Sequence, residues 1–197
     1  MMSYTSRFLQ VALIAIILTG CNLSRLQSKT PVAASPPASA FLLDSDVFPR
    51  GWTFESDEQG VIVAGRDFYL PNAYGHSFQE VFRRPNDNEA SKKYKTYLSG
   101  EFNVSGARQP AIPFVPPPEI TFKSNIADEY YFACGVDVIP QCKMLARYRN
   151  YFVYLYLNLS TNIEPGGLTY SEIEHVLEAL ESKVSDAFNI SATQGSG

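Results

Sequence analysis

Strict alternation is plainest between Tyr151 and Ser160. Val153, Leu155, Leu157 and Leu159 fall on one side of an extended chain, and Phe152, Tyr154 and Tyr156 fall on the other. A strand that is apolar or aromatic on both sides needs cover on both. Further on, the period changes to that of a helix. Ile173, Val176, Leu177, Leu180, Val184, Ala187 and Phe188 form one stripe, with Glu174, Glu178, Glu181 and Lys183 off it. Thr169, with Glu172 three residues later, supplies a capping box at the start. A shorter helix is expected from Asn86, again with an acid (Glu89) three residues on, to near Gly100. Its Ala90, Tyr94, Tyr97 and Leu98 share a face that excludes Lys92, Lys93 and Lys95.

Shorter alternating runs predict further strands at Trp52 to Ser56, Val61 to Ala64 with a continuation to Leu70, Phe78 to Arg83, Ile120 to Ser124, Glu129 to Cys134 and Cys142 to Tyr148. Turn signals separate them: Asp57-Glu58-Gln59-Gly60, Pro71 to Gly75, Arg149-Asn150 and Pro165-Gly166-Gly167. The segment Gln109 to Glu119 carries Pro110, Pro113, Pro116, Pro117 and Pro118, which excludes a helix interior or a central strand. An extended surface crossover is expected there. Strands joined by short turns are antiparallel. The predicted fold class is therefore α+β: an antiparallel sheet with two amphipathic helices packed on one face, a two-layer sandwich.

The N-terminus has a different pattern. Met1 to Arg7 carries one positive charge, and the apolar run Phe8 to Leu18 follows. At about 11 residues this run falls short of the roughly 20 that a spanning helix needs, and its layout is that of an export signal. It ends in Leu18-Thr19-Gly20-Cys21, which resembles the lipobox of bacterial lipoproteins. The resemblance implies cleavage before Cys21 and a diacylglycerol on its thiol, and so a stable membrane anchor, since two or more acyl chains hold a protein firmly. It implies residues 1–20 as signal peptide and 21–40 as lipidated cysteine and flexible Ser/Pro/Ala tether. Residues 41–190 would be a single globular domain and 191–197 a disordered tail. The location would be the cell membrane or outer membrane, with the domain outside the cytoplasm. Asn22, in place of Asp, leans towards the outer one in a cell with two membranes. The element order of the body resembles the Mog1/PsbP-like sandwich of some exported lipoproteins, a likeness that licenses no function by itself.

Composition narrows the partners. Aromatic residues make up 13% of the 197 residues, which argues for a packed body. The formal net charge of −4 leaves no electrostatic footprint for nucleic acid. Of the three cysteines, lipidation of Cys21 leaves Cys134 and Cys142, a pair expected as a disulfide outside the cytoplasm. Their spacing matches neither zinc nor thioredoxin patterns, and no His lies near.

Motifs for chemistry are sparse. The chain has no G-x-S-x-G, H-E-x-x-H, S-x-x-K or phosphate-binding glycine loop. Asp44 and Asp46 read as a helix start or solvated turn, His175 as a solvated helix residue, and His76 as a loop residue with no adjacent acidic partner in sequence. No cofactor, metal or catalytic residue is expected. The aromatic side Phe152, Tyr154 and Tyr156, extended either by Tyr130 with Phe132 or by Tyr131, is the candidate binding surface, because large exposed apolar patches usually bind something. Either a partner or a covering loop must meet it. These readings favour a non-catalytic binding or interaction module of the cell envelope, held at the membrane by its lipid. Its partner would be an envelope protein, a glycan or a small apolar ligand. A structural or assembly accessory factor is the first alternative, and an enzyme with a site near His76 the second.

Overall fold

The computed structural model of the protein describes residues 35–71, 73, 75–102, 112–160 and 166–194. The expected export signal, Cys21 and the expected tether up to residue 34 lie outside the described residues, as do residues 195–197. Among those described, seven strands form one sheet: β1 (Thr53–Gln59), β2 (Val63–Tyr69), β3 (His76–Arg83), β4 (Ile112–Val115), β5 (Glu129–Val136), β6 (Pro140–Tyr148) and β7 (Tyr151–Asn158). The helices are α1 (Asp87–Glu101) and α2 (Tyr170–Gln194). Every neighbouring pair in the order β1-β2-β3-β7-β6-β5-β4 is antiparallel. The class is α+β, with helices packed on an antiparallel sheet.

The stacking differs from the expected single covered face. The centre of the sheet is β7, which is buried on both sides. Val153, Leu155 and Leu157 meet Ile173, Val176, Leu177, Leu180 and Val184 of α2. Phe152 and Tyr154 meet Tyr94, Tyr97 and Leu98 of α1 on the opposite side. The two helices therefore lie on opposite faces and make three layers. The two-sided apolar pattern of β7 is the physical reason: one face could not have taken both helices and left seven aromatic or aliphatic side chains satisfied. The caps form as the spacing predicts. Asn86 accepts from the Glu89 N–H at 3.0 Å, and Glu172 takes the Thr169 N–H and hydroxyl at 2.7 and 2.8 Å.

The face under α2 is shared with the chain before β1. Two short 3-10 turns, Ala38–Phe41 and Ser45–Val47, carry Ala38, Phe41, Leu42, Leu43 and Phe48 into the same core. Residues 36–40, expected in the tether, thus pack in the body: Pro36 is buried, and its carbonyl accepts from the Tyr151 hydroxyl. At the other end α2 continues through 191–194, where a disordered tail was expected.

Two further expectations change. Residues 120–124 form no strand. The N–H groups of Thr121 and Phe122 donate instead to Glu174 Oε1 at 2.9 and 2.8 Å, and the Thr121 hydroxyl joins them, so the segment runs along α2. These bonds hold the Glu174 carboxyl below its ordinary range. Within the Pro-rich segment, Ile112–Val115 is the edge strand β4, irregular between Ile112 and Val115. An edge is where proline is tolerated. The Cys134–Cys142 disulfide forms and links directly opposed residues of β5 and β6.

Candidate functional site

Each strand sends alternate side chains to the α1 face. On β3 these are His76, Phe78, Glu80 and Phe82, and the β2 register puts Tyr69 opposite His76 and Asp67 opposite Phe78. The β7 register puts Tyr156 opposite Phe78 and Tyr154 opposite Glu80. Helix α1 lies over β5, β6 and β7 and closes that half of the face. Phe152 is fully buried and Tyr154 is 4% exposed. The sequence asked for a cover over these aromatics, and the helix rather than the Pro-rich crossover provides it. Of the three candidate residues only Tyr156 stays half-open. Tyr131 joins the same face, against Phe102, while Tyr130 and Phe132 belong to the α2 side.

The edge of that cover is pinned by charge. Glu101, the last residue of α1, accepts from Lys143 Nζ at 3.1 Å and from the Tyr154 hydroxyl at 2.9 Å. Lys143 Nζ also donates to the Glu101 carbonyl at 2.9 Å, which satisfies a helix-end acceptor. Burial, together with the Glu101 negative charge, pushes the Tyr154 hydroxyl far up.

Beyond α1 the face is open among the described residues and holds an aromatic strip with acids around it. The Phe78 and Tyr156 rings stack at 5.0 Å, 8° from parallel. The His76 ring is 6.1 Å from Phe78 and 6.3 Å from Tyr156. His76 Nε2 sits 2.9 Å from Asp67 Oδ1, with the His side chain 52% exposed. Glu80 is half-buried. Desolvation raises its pKa, Lys93 opposes the rise, and the negative charges of Glu101 and Asp67 add to it. Burial and then Asp137 raise the Tyr156 hydroxyl. Lys93 lies over the Tyr97 and Phe82 rings at 4.4 and 5.0 Å and closes the α1 side of the strip.

Chemically, this strip offers two flat rings and several hydroxyl-accepting carboxylates. The His76–Asp67 pair was missed in sequence because its members are nine residues apart across a hairpin. The β2–β3 register, once known, places them diagonally on one face. Ser77 points the other way, is buried, and receives the Asn158 N–H. His175 is exposed on α2, as a solvated helix residue. Asp44 starts the second 3-10 turn and bridges Arg66 and Lys183, each at 2.9 Å. Among the described residues, no group of three metal-ligating side chains forms, and no helix is long and apolar enough to cross a membrane. Comparison with known proteins finds no family model, no curated protein and no solved structure that matches this chain.

Proposed function

We propose that this protein is a lipid-anchored, non-catalytic binding module of the cell envelope, and that its ligand is a glycan laid on the strip Phe78–Tyr156. One observation carries the reading: a stacked aromatic pair is left half-open, beside Asp67, His76 and Glu80, on a face otherwise closed by α1. A sugar ring has a flat apolar side that suits such rings, and its hydroxyls donate to carboxylates. Tyr adds a polar tip to an apolar body, as binding surfaces favour. The signal segment and Cys21 support export and acylation, with the domain outside the cytoplasm.

The test is co-sedimentation of the full-length acylated protein with purified peptidoglycan sacculi, alongside titration with chitotetraose. Tyr156→Ser is expected to weaken association about tenfold, at the upper end of what one aromatic contact supplies. Tyr156→Phe is expected to stay close to the parent. No association with either probe, or an unaffected Tyr156→Ser, overturns the reading.

The His76–Asp67 pair favours one second reading, an enzyme in which Asp67 orients His76 as a general base. Its test is loss of glycan turnover in His76→Ala with binding retained.

A further inference from the structure

The opposite end of the sheet has a different character. The β6–β7 hairpin turns at Arg149-Asn150, and β3 ends beside it: the Arg84 N–H donates to the Asn150 carbonyl, and Asn150 Nδ2 donates to the Arg84 carbonyl. The chain from the N-terminus arrives here, since the Pro36 carbonyl is held by the Tyr151 hydroxyl. Burial raises the Tyr151 hydroxyl above its ordinary range, and the positive charges of Arg83 and Arg149 oppose that rise. Arg149 is exposed, lies over the Phe188 ring at 4.4 Å, and has φ 56°, a backbone conformation that favours glycine.

Among the described residues, Arg83, Arg84 and Arg149 have no carboxylate partner. Of the other described cations, Arg66, Lys92, Lys143, Arg147 and Lys183 each have one. Of the nearby acids, Asp128 and Glu129 share Arg147 and Glu89 binds Lys92, while Asp87 opens α1 three residues beyond Arg84. The end where the chain arrives therefore presents three arginines that no carboxylate among the described residues pairs with.

We propose that this end, with Arg83, Arg84 and Arg149, docks on anionic phospholipid headgroups of the membrane that holds Cys21. The proposal rests on the lipoprotein reading. Charge complementarity and the arrival point of the chain select the bilayer as partner. Only 13 residues separate Cys21 from Ser35, so the anchor keeps the three arginines near the surface. Each is expected to contribute about fivefold to the ratio of docked to undocked domain, about a hundredfold together. Docking also sets direction. His76 and Arg83 are the two ends of β3, about 23 Å apart at about 3.3 Å per residue, so the aromatic strip is held away from the lipid.

Trp52 makes this measurable. It is the only tryptophan, and it lies beside Gly75 at the His76 end. The acylated full-length protein is reconstituted into vesicles containing a dansyl lipid, either pure phosphatidylcholine or one-third phosphatidylglycerol. Energy transfer from Trp52 to dansyl is expected to be lower on the anionic vesicles. High salt, or the triple Gln variant R83Q/R84Q/R149Q, should raise it to the neutral-vesicle level, while the triple Lys variant keeps it low. Equal transfer on both vesicles, or no effect of salt on the parent protein, overturns the proposal even if the Gln variant fails to fold. Transfer that depends on protein-to-lipid ratio assigns the patch to a second copy and overturns it too. An intact mass without a diacylglyceryl adduct overturns the anchor itself, and is read separately.

Discussion

Gln79 is a polar residue sealed in the core, and its loss should be costly. Its amide is fully buried on the α2 face of β3. Oε1 accepts from the Leu43 N–H and Nε2 donates to the Phe41 carbonyl, both at 2.8 Å. The side chain thus pairs with the backbone of residues 41–43 as a strand would, and fixes Phe41, Leu42 and Leu43 into the core. Gln79→Leu keeps the volume and removes both bonds. Two backbone groups in a sealed site lose a partner, at about 1–3 kcal/mol each. The Leu methyl groups recover part of this, so the net loss is about 3 kcal/mol, or roughly 6–12 °C in Tm for a domain of this size. Urea unfolding at pH 7, disulfide intact, measures it, with the slope unchanged. Gln79→Glu sharpens the test. Its carboxylate still accepts from Leu43 but faces the Phe41 carbonyl, so burial raises its folded pKa above the unfolded one. Its stability should be greatest at low pH and fall as pH rises through the folded value. A Gln79→Leu loss under about 1 kcal/mol would refute the reasoning, because the 41–43 backbone would then have found water or another partner.

The other expectations are smaller or more local. Replacing Cys134 and Cys142 by Ala should cost about 2.5 kcal/mol, the chain-entropy value for so short a loop, read by urea unfolding against the oxidised parent; an unchanged midpoint would show that the β5–β6 pairing already supplies the constraint. Phe152→Ala should cost about 3–5 kcal/mol as a buried aromatic, whereas half-open Tyr156→Ser should cost far less; equal losses would mean the strip is core. Glu80 is raised when folded, so its carboxylate lowers stability as pH rises from the acid range to neutrality, and Glu80→Gln should flatten that limb of the stability–pH curve. Asp44 is lowered chiefly by its bond to Lys183, so its contribution is present at neutral pH and lost as pH falls below the ordinary carboxylate range; Asp44→Asn should remove that acid limb and leave neutral stability slightly reduced.

The elements were legible where the pattern was long or capped. The α2 stripe, both helix starts, the two-sided β7 and the Cys134–Cys142 pair could all be read from local spacing. The missed elements were decided by partners far away in sequence. Residues 120–124 alternate like a strand, but the carboxylate of Glu174 takes the N–H groups that a neighbouring strand would have used. Pro36 and Ala38 read as tether because Pro and Ala are common in linkers; they are buried by Tyr151 and the underside of the sheet. The site was half legible. Tyr156 was named from alternation alone, but Phe78 stacking on it and Asp67 pairing with His76 both depend on strand order, and β3 beside β7 is a crossover that no local pattern reveals.

The open strip follows from widths. Seven strands at about 4.8 Å spacing make a sheet roughly 30 Å across. A helix with its side chains covers about 10–12 Å. On one face α2 is joined by residues 36–48, whose Phe41 and Phe48 reach Tyr151 and Phe68, so the cover spans from β2 to β7. On the other face α1 has no such companion among the described residues. Its Tyr94 and Tyr97, with Phe102 just past its end, cover β7, β6 and β5 and end there. Among the described residues, what remains uncovered is β2, the His76 end of β3 and the far end of β7. Those are the strands that carry Asp67, His76, Phe78, Glu80 and Tyr156. A single helix on a sheet this wide therefore leaves a gap, and the residues in the gap are aromatic and acidic where an idle surface would carry Lys, Thr and Ser. Extending the cover should weaken the site: Lys93→Trp would place a ring over Tyr97 and Phe82 at the strip's border and is expected to weaken glycan association while leaving the urea midpoint close to the parent.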